Sequence, residues 1–233
     1  MEEIKIGLII PALNEAPVIG SVLDSLPAGL FSQVVVVDNG SSDETGAIAA
    51  AHGATIVREA RRGYGYACLA GMAQLSPACQ ITVFMDGDGS DLPEDAVRLV
   101  EPILAGEADM VIGARRGPSV AKGSLTPHQQ FGNWLASILI QLLYNFRYTD
   151  LGPFRAVLME KLRELEMRDT SYGWTVEMQV KALQMGMRVK EVPVSYRPRV
   201  GTSKISGSLQ ASIRAGIKII ATIFRLKWQS CSK

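Results

Sequence analysis

Short apolar runs rich in β-branched residues alternate with helical patterns along the first half of this chain, and that alternation restricts the fold more than any other feature. Runs at 4–10, 34–37, 54–57, 81–85 and 110–112 have the near-uniform apolarity of strands buried on both faces. Between them, 18–26, 45–51, 66–75 and 94–104 read as helices, the last with Pro93 at its first turn. This rhythm predicts an α/β fold with a mostly parallel sheet flanked by helices. Open sheets of this kind take ligands at the carboxyl ends of their strands, so the residues just after each strand carry the functional information.

Those residues are polar: Pro11-Ala12-Leu13-Asn14-Glu15 after the first strand, Asp38-Asn39-Gly40-Ser41-Ser42-Asp43 after the second, Asp86-Gly87-Asp88-Gly89-Ser90-Asp91 after the fourth. Ser42 or Asp43 can alternatively cap the helix that follows, whereas Asp38 lies at the strand end itself. In the second half, 128–147 is a long apolar helix candidate, 157–166 and 175–185 are shorter amphipathic ones, and 189–196 alternates like a strand. A last helix is expected over 209–228, where Ile213, Ile217, Ile220 and Phe224 recur at helical steps beside Arg214, Lys218, Arg225 and Lys227.

Composition enters mainly by exclusion. With 233 residues, 47% of them hydrophobic, the chain can bury a sizeable core, and disorder is ruled out. Cys68, Cys79 and Cys231 have no CxxC spacing and only His52 and His128 accompany them, which argues against a zinc site or a disulfide scaffold and for a reducing compartment. The amino terminus has no export-signal pattern, and the longest apolar stretch is too short for a span of about 20 residues. A cytoplasmic location is expected. The net charge of +1 conceals an asymmetry, with ten basic residues and one acidic from Arg188 onward against 14 and 22 before it. A basic amphipathic tail suits contact with the cytoplasmic face of a membrane, as does the apolar helix candidate over 131–148, and core packing is the alternative, less favoured for the tail because of its charge.

Two carboxylates two residues apart at a strand end, Asp86 and Asp88, can present hard oxygen ligands to Mg²⁺ or Mn²⁺, and a solvated turn is the alternative. A calcium loop is excluded because glycines and a Pro-Glu helix start stand where its ligands should continue. Gly63-Tyr64-Gly65 follows the third strand rather than the first and lacks GxGxxG spacing, which disfavours a dinucleotide-dependent oxidoreductase. Nucleotidyl transfer is disfavoured because no glycine-rich phosphate loop follows the first strand.

Six segments in order resemble the family 2 glycosyltransferases of GT-A fold, in particular the branch of dolichyl-phosphate mannose and glucose synthases. Ile9-Ile10-Pro11-Ala12-Leu13-Asn14-Glu15 is similar to that family's opening strand and loop, Val37-Asp38-Asn39-Gly40-Ser41-Ser42-Asp43 to its nucleotide loop, and Asp86-Gly87-Asp88 to its DxD. Gly113-Ala114-Arg115, Gly152-Pro153-Phe154-Arg155 and Arg199-Val200-Gly201-Thr202-Ser203-Lys204 are similar to its GSR, GFR and RxGxSK segments. The resemblance covers nearly the whole chain and implies a catalytic domain over 1–207 followed by a basic amphipathic helix over 208–233.

By that resemblance, Pro11, Ala12, Glu15, Asp38 and Gly65 frame the nucleotide, and Asp86, Gly87 and Asp88 lie at its ribose and diphosphate. Asp86, Asp88 and Ser90 stand at the metal positions, with Ser90 where the family commonly carries glutamine. Arg199 and Lys204 would close on the phosphates, and Arg115 and Arg155 would face the acceptor. Asp150 and Glu177 are the candidate catalytic carboxylates, needed as a base only if the acceptor is a hydroxyl, since a phosphate is already an anion; for Glu177, pairing with Arg155 or another cation is the structural alternative. Pro127-His128-Gln129-Gln130 stands where the polyprenyl-phosphate synthases carry an arginine. The expected reaction is inverting transfer of a hexose from a UDP- or GDP-linked donor to a polyprenyl phosphate. The alternatives are a soluble hydroxyl acceptor and, in another class, a catalytically silent nucleotide-sugar-binding protein.

Overall fold

The computed structural model describes residues 4–200 and 209–231, with the backbone alone for 209–212, 230 and 231. Strands β1 (Ile6–Ala12), β2 (Gln33–Asp38), β3 (Thr55–Arg58) and β4 (Ile81–Phe84) alternate with helices α1 (Ile19–Asp24), α2 (Thr45–Ala51) and α3 (Tyr64–Gln74). After β4 a 3₁₀ turn at Pro93–Asp95 leads into α4 (Ala96–Leu104), and then come β5 (Met110–Ala114), α5 (Pro127–Tyr144), β6 (Arg155–Leu158), α6 (Met159–Glu164), α7 (Trp174–Gln184), β7 (Val189–Pro193) and α8 (Leu209–Cys231). The strands form one seven-stranded sheet in the order β3-β2-β1-β4-β6-β5-β7.

Alternation along β1 divides the core. Ile9 points to the face covered by α3, α5, α7 and α8, while Leu8 and Ile10 point to the face covered by α1, α2 and α4. Strands this thoroughly covered need apolar residues at every position, which is why β1, β2, β4 and β5 read as unbroken runs.

One element departs from the expectation. The helix predicted over 157–166 is two elements, because Arg155–Leu158 is a strand antiparallel to both its neighbours, pairing Val83 with Ala156 on one side and Val111 with Ala156 on the other. β4 and β5 leave a slot that only an extended segment fills, and filling it overrides a local pattern too short to decide between strand and helix. The remaining helix, α6, is six residues long. The long helix α5 starts on a capping box between Thr126 and Gln129, with Pro127 in its first turn, and stops at Asn145, which adopts a left-handed conformation (φ 54°), short of the expected Arg147.

Among the described residues no helix is long and apolar enough to cross a membrane. On α8 the apolar row legible in the sequence is the outer one: Ile213, Ile217 and Phe224 are exposed, while Ala215, Thr222, Ile223 and Leu226 pack inward. Phe131, Trp134 and Leu142 of α5 are exposed as well, the first two with ring centroids 5.7 Å apart. Tyr144 donates to the Ile223 carbonyl at 3.0 Å and holds the two helices side by side.

Candidate active site

The loops after β1, β2 and β3 are laced into one wall. Asn14 N–H donates to Ser41 Oγ at 2.9 Å, Asn14 Oδ1 accepts from Ser42 N–H at 2.8 Å, and Glu15 N–H donates to Thr45 Oγ1 at 2.8 Å. Asp43 accepts from Thr45 N–H at 3.1 Å and from Ala16 N–H at 3.2 Å, so it satisfies a donor at the start of α2 and also ties the first loop to the second. Asn39, which sequence reasoning gave no role, crosses to the third loop: its amide donates to the Glu59 and Arg61 carbonyls and its Oδ1 accepts from Gly63 N–H. Arg62 reaches back to the Gly40 carbonyl at 3.2 Å, and Arg61 pairs with Glu59. Asp38 sits at the base of this wall, one oxygen accepting from Ser41 N–H at 2.8 Å. Pro11 and Ala12 continue the sheet, and the Ala12 carbonyl accepts from Asn39 N–H.

Beyond β4 the chain places three carboxylates in one turn. Asp86 is half-buried, with its Oδ1 lacking a partner; burial and the neighbouring charge of Asp88 push its carboxyl up to about 7. Asp88 is buried and its Oδ1 accepts from Ser90 N–H at 2.9 Å and Ser90 Oγ at 2.5 Å. The Ser90 hydroxyl is therefore directed at Asp88. Asp91, not singled out from the sequence, is also buried; its Oδ2 accepts from Asp86 N–H, its Oδ1 has no partner, and burial next to Asp86 and Asp88 raises its carboxyl. Orphaned acidic oxygens in a buried turn suit a divalent cation. Among the described residues no group of three or more His, Cys, Asp or Glu side chains converges as a metal-ligand cluster, and Asp86 and Asp88 are the side chains that would hold such a cation. Gly87 packs against Ile10 and Ile19 rather than facing this turn.

Arg199 spans the site. Its Nη2 lies 2.9 Å from Glu15 Oε1 and its Nη1 3.3 Å from Asp88 Oδ2. The segment leading to it is zipped to the acidic turn, with Arg197 N–H donating to the Ser90 carbonyl and Val200 N–H to that of Asp88. Lys204 lies outside the described residues.

A cavity of about 1120 Å³ opens from Asp86 and Tyr64 toward α5 and α8. Asp86 and Asp150 are the carboxylates among its described lining residues, whereas Arg115, Arg116, Lys122 and Arg147 make the rest of it basic, with His128 beside them. Asp150 is fully engaged: Oδ2 accepts from Arg115 Nε at 2.7 Å, Oδ1 from Arg115 Nη2 at 2.8 Å and from Leu151 N–H at 2.8 Å. Burial would raise this carboxyl, and the charge and hydrogen bonds of Arg115 outweigh it and hold it below the usual carboxylate range.

Residues 8–165 match the family described as glycosyl transferase family 2. The chain belongs to that family. This glycosyltransferase is 38% identical over 211 residues to an uncharacterized glycosyltransferase of Mycobacterium tuberculosis, spanning 90% of this chain and 94% of the relative. It is 31% identical over 221 residues to an undecaprenyl-phosphate mannosyltransferase of Micrococcus luteus, spanning 88% and 89%, and 30% identical over 220 residues to a polyprenol monophosphomannose synthase of Mycolicibacterium smegmatis, spanning 86% and 81%. Among solved structures, glucosyl-3-phosphoglycerate synthase of Mycobacterium tuberculosis, crystallised with Mn²⁺, UDP and glucosyl-3-phosphoglycerate, superposes with a TM-score of 0.76 at 26% identity, covering 95% of this chain and 79% of that one. The seven-stranded sheet with its flanking helices is thus the GT-A-like fold, with an additional C-terminal helix.

Three residues that the sequence singles out, Glu177, Arg155 and Gly65, lie in scaffold contacts of the glycosyltransferase. Glu177 is buried in α7, where Oε2 accepts from Arg168 N–H at 3.1 Å and Asp169 N–H at 2.6 Å while Oε1 lies 3.0 Å from Lys181 Nζ; its cation is Lys181, not Arg155. Arg155 is buried with its guanidinium donating to the carbonyls of Pro153, Thr175 and Gly152, and burial lowers its pKa. Gly65 faces the backbone of Asp169. Of the four tail cations, Arg214 and Arg225 are exposed, Lys218 lies 2.9 Å from Asp169 and Lys227 donates to the Leu143 carbonyl at 2.8 Å.

Proposed function

We propose that this glycosyltransferase moves a hexose, with inversion, from a nucleoside diphosphate sugar to the phosphate of a polyprenyl phosphate at a membrane surface. The observation that carries the reading is the acceptor side of the cavity, where Arg116, Lys122, Arg147 and His128 gather while Asp150 is committed to Arg115. A hydroxyl nucleophile needs a carboxylate able to take its proton, and Asp150 has both oxygens occupied and its pKa depressed. A phosphate nucleophile needs cations to hold it and no base. The relatives named for polyprenyl phosphates support the same acceptor.

The laced wall around Asp38 and Asn39 would frame base and ribose, and Arg199, released from Glu15 and Asp88, would turn to the diphosphate. Asp86 and Asp88 would hold Mg²⁺ or Mn²⁺, which supplies neutralisation of the charge on the departing nucleoside diphosphate. The exposed rows of α5 and α8 would enter the headgroup layer, with Arg214 and Arg225 meeting anionic lipid.

A soluble phosphorylated hydroxyl acceptor is the second reading, favoured by the likeness to a glucosyl-3-phosphoglycerate synthase crystallised with its product. Purified protein incubated with a panel of UDP- and GDP-hexoses, Mn²⁺ and either a short polyprenyl phosphate on liposomes or 3-phosphoglycerate separates the two. The first reading expects a lipid-linked product that increases with anionic vesicles. Product with 3-phosphoglycerate alone would overturn it.

A further inference from the structure

The carboxyl-terminal helix reaches the donor side of the site through the turn 169–173, between α6 and α7. Asp169 is buried and winds that turn around one oxygen, Oδ1 accepting from Ser171 N–H at 2.9 Å, Ser171 Oγ at 3.2 Å and Gly173 N–H at 3.2 Å. Its Oδ2 lies 2.9 Å from Lys218 Nζ on α8. Helix and turn approach so closely that a side chain at Gly173 would run into Asp169 and come within 2.8 Å of Thr222 Oγ1 of α8. Glu177 grips the same turn from α7 through the N–H groups of Arg168 and Asp169.

On its other side the turn bears on the start of α3. A Cβ at Gly63 would strike the Thr170 carbonyl and one at Gly65 the Asp169 carbonyl, and Tyr66 N–H donates to Thr170 at 3.3 Å. Between the two glycines stands Tyr64, which lines the cavity together with Asp86. The links from α8 to the start of α3 are therefore direct contacts, and Tyr64 and Asp86 face one cavity.

We propose that Lys218 is a positioning residue for the donor site: its ion pair with Asp169 clamps α8 onto the 169–173 turn, the turn seats the start of α3, and Tyr64 is thereby held in the wall of the cavity that Asp86 also lines. The proposal rests on the reading of Asp86 as a donor-site carboxylate. Without the ammonium group, Asp169 keeps a desolvated charge facing a loosened helix, and the turn that fixes Gly63 and Gly65 gives way. Groups that orient a metal-binding carboxylate from behind commonly change metal affinity about 10- to 100-fold when removed.

The test is calorimetric binding of UDP and of GDP in the presence of Mn²⁺, together with thermal unfolding, for wild type and for Lys218→Met, Lys218→Arg, Lys227→Met and Tyr64→Phe. Lys218→Met is expected to weaken nucleotide binding about 10-fold, with Lys218→Arg restoring most of it. Lys227→Met, which removes a contact of α8 with α5, is expected to lower the melting midpoint and leave nucleotide affinity unchanged. The double variant of Lys218→Met with Tyr64→Phe is expected to bind no more weakly than the weaker single variant, since both act through Tyr64. Should Lys218→Met fail to fold, Asp169→Asn keeps the Oδ1 contacts of the turn, removes the ion pair and takes its place. Unchanged affinity in Lys218→Met, an equal loss in Lys227→Met, or additive losses in the double variant would each overturn the proposal. Wild type that binds neither nucleotide with metal overturns the donor-site reading, and the proposal with it.

Discussion

Arg115 and Asp150 face each other as a planar fork on a carboxylate, with bonds of 2.7 and 2.8 Å, and the main-chain N–H of Arg115 adds a third contact at 2.8 Å. The guanidinium also lies 5.1 Å from the centre of the Tyr196 ring. This arrangement fixes the end of β5 against the loop before β6, at the floor of the cavity. Asp150→Asn is expected to retain transfer to a polyprenyl phosphate within about 10-fold per folded molecule, because loss of a true base costs about 100-fold or more. Stability is the larger casualty, by about 3 kcal/mol, since a buried arginine is left with half its partner. Initial rates and denaturant midpoints on the same preparations check both statements.

Acid should expose the same pair. The folded Asp150 carboxyl is depressed below its unfolded value of about 4, so its stabilising contribution is complete above that value and disappears as pH falls through the lower folded one. Wild type is therefore expected to lose stability, as pH falls below about 4, more steeply than Asp150→Asn. Chemical denaturation at stepped pH measures the two slopes, and parallel curves would contradict the assignment.

Asp88→Asn keeps the oxygen that accepts from Ser90 and loses the charge near Arg199. Metal-dependent nucleotide binding is expected to fall at least about 10-fold, with a change in stability within about 1 kcal/mol. Calorimetry with UDP and then GDP, each with and without Mn²⁺, supplies the comparison.

For Arg199→Ala two quantities should move in opposite directions. The guanidinium lies against two carboxylates, Glu15 and Asp88, and a divalent cation entering beside Asp88 must overcome its positive charge. Mn²⁺ without nucleotide is expected to bind the variant more tightly, by about 3-fold or more, while turnover falls by about 10-fold or more for want of a cation on the diphosphate. Electron paramagnetic resonance of unbound Mn²⁺ reads the first and product formation the second; a melting temperature that falls as steeply as turnover would mark Arg199 as a structural ion pair.

Vesicle binding should depend on the outer rows of α5 and α8. Replacing Trp134 and Ile217 with serine is expected to reduce co-sedimentation with anionic vesicles about 10-fold and to leave folding intact, because both side chains are exposed. Arg214→Gln with Arg225→Gln should weaken binding chiefly at low salt.

What could be read from the sequence follows from how local each signal is. The strands of the first half were legible because burial on both faces demands continuous apolar residues, and β1, β2 and β4 supply them. The pair Asp86 and Asp88 stood out because carboxylates directly after such a buried strand have no packing role. By contrast β6 is four residues whose conformation is decided by Val83 and Val111 on either side, 73 and 45 positions away from Ala156 in the chain. Asp150 could be recognised as a candidate site carboxylate and Lys218 as a tail cation, yet their partners Arg115 and Asp169 are chosen by tertiary approach, whereas the pairing of Glu177 with Lys181 is a local i,i+4 contact on α7. Asn39 and Asp91 had a signal available in their positions beside Asp38 and in the turn of Asp86. What marks them is the way they join loops, and only coordinates display that.

Because β6 lies between β4 and β5 and pairs with both, the two halves of the sheet share no hydrogen bond until residues 155–158 arrive. A ribosome-bound chain that has emerged only as far as α5 therefore carries two unfinished sheet edges, with β4 and β5 each presenting open N–H and C=O groups to solvent. Closure of that gap joins segments far apart in sequence, which makes it the natural slow step of folding and the interval in which the nascent protein is most open to pairing with its neighbours. Fragments that stop before residue 155 should accumulate as aggregates, read by the pelleted fraction after synthesis, whereas the full chain should not.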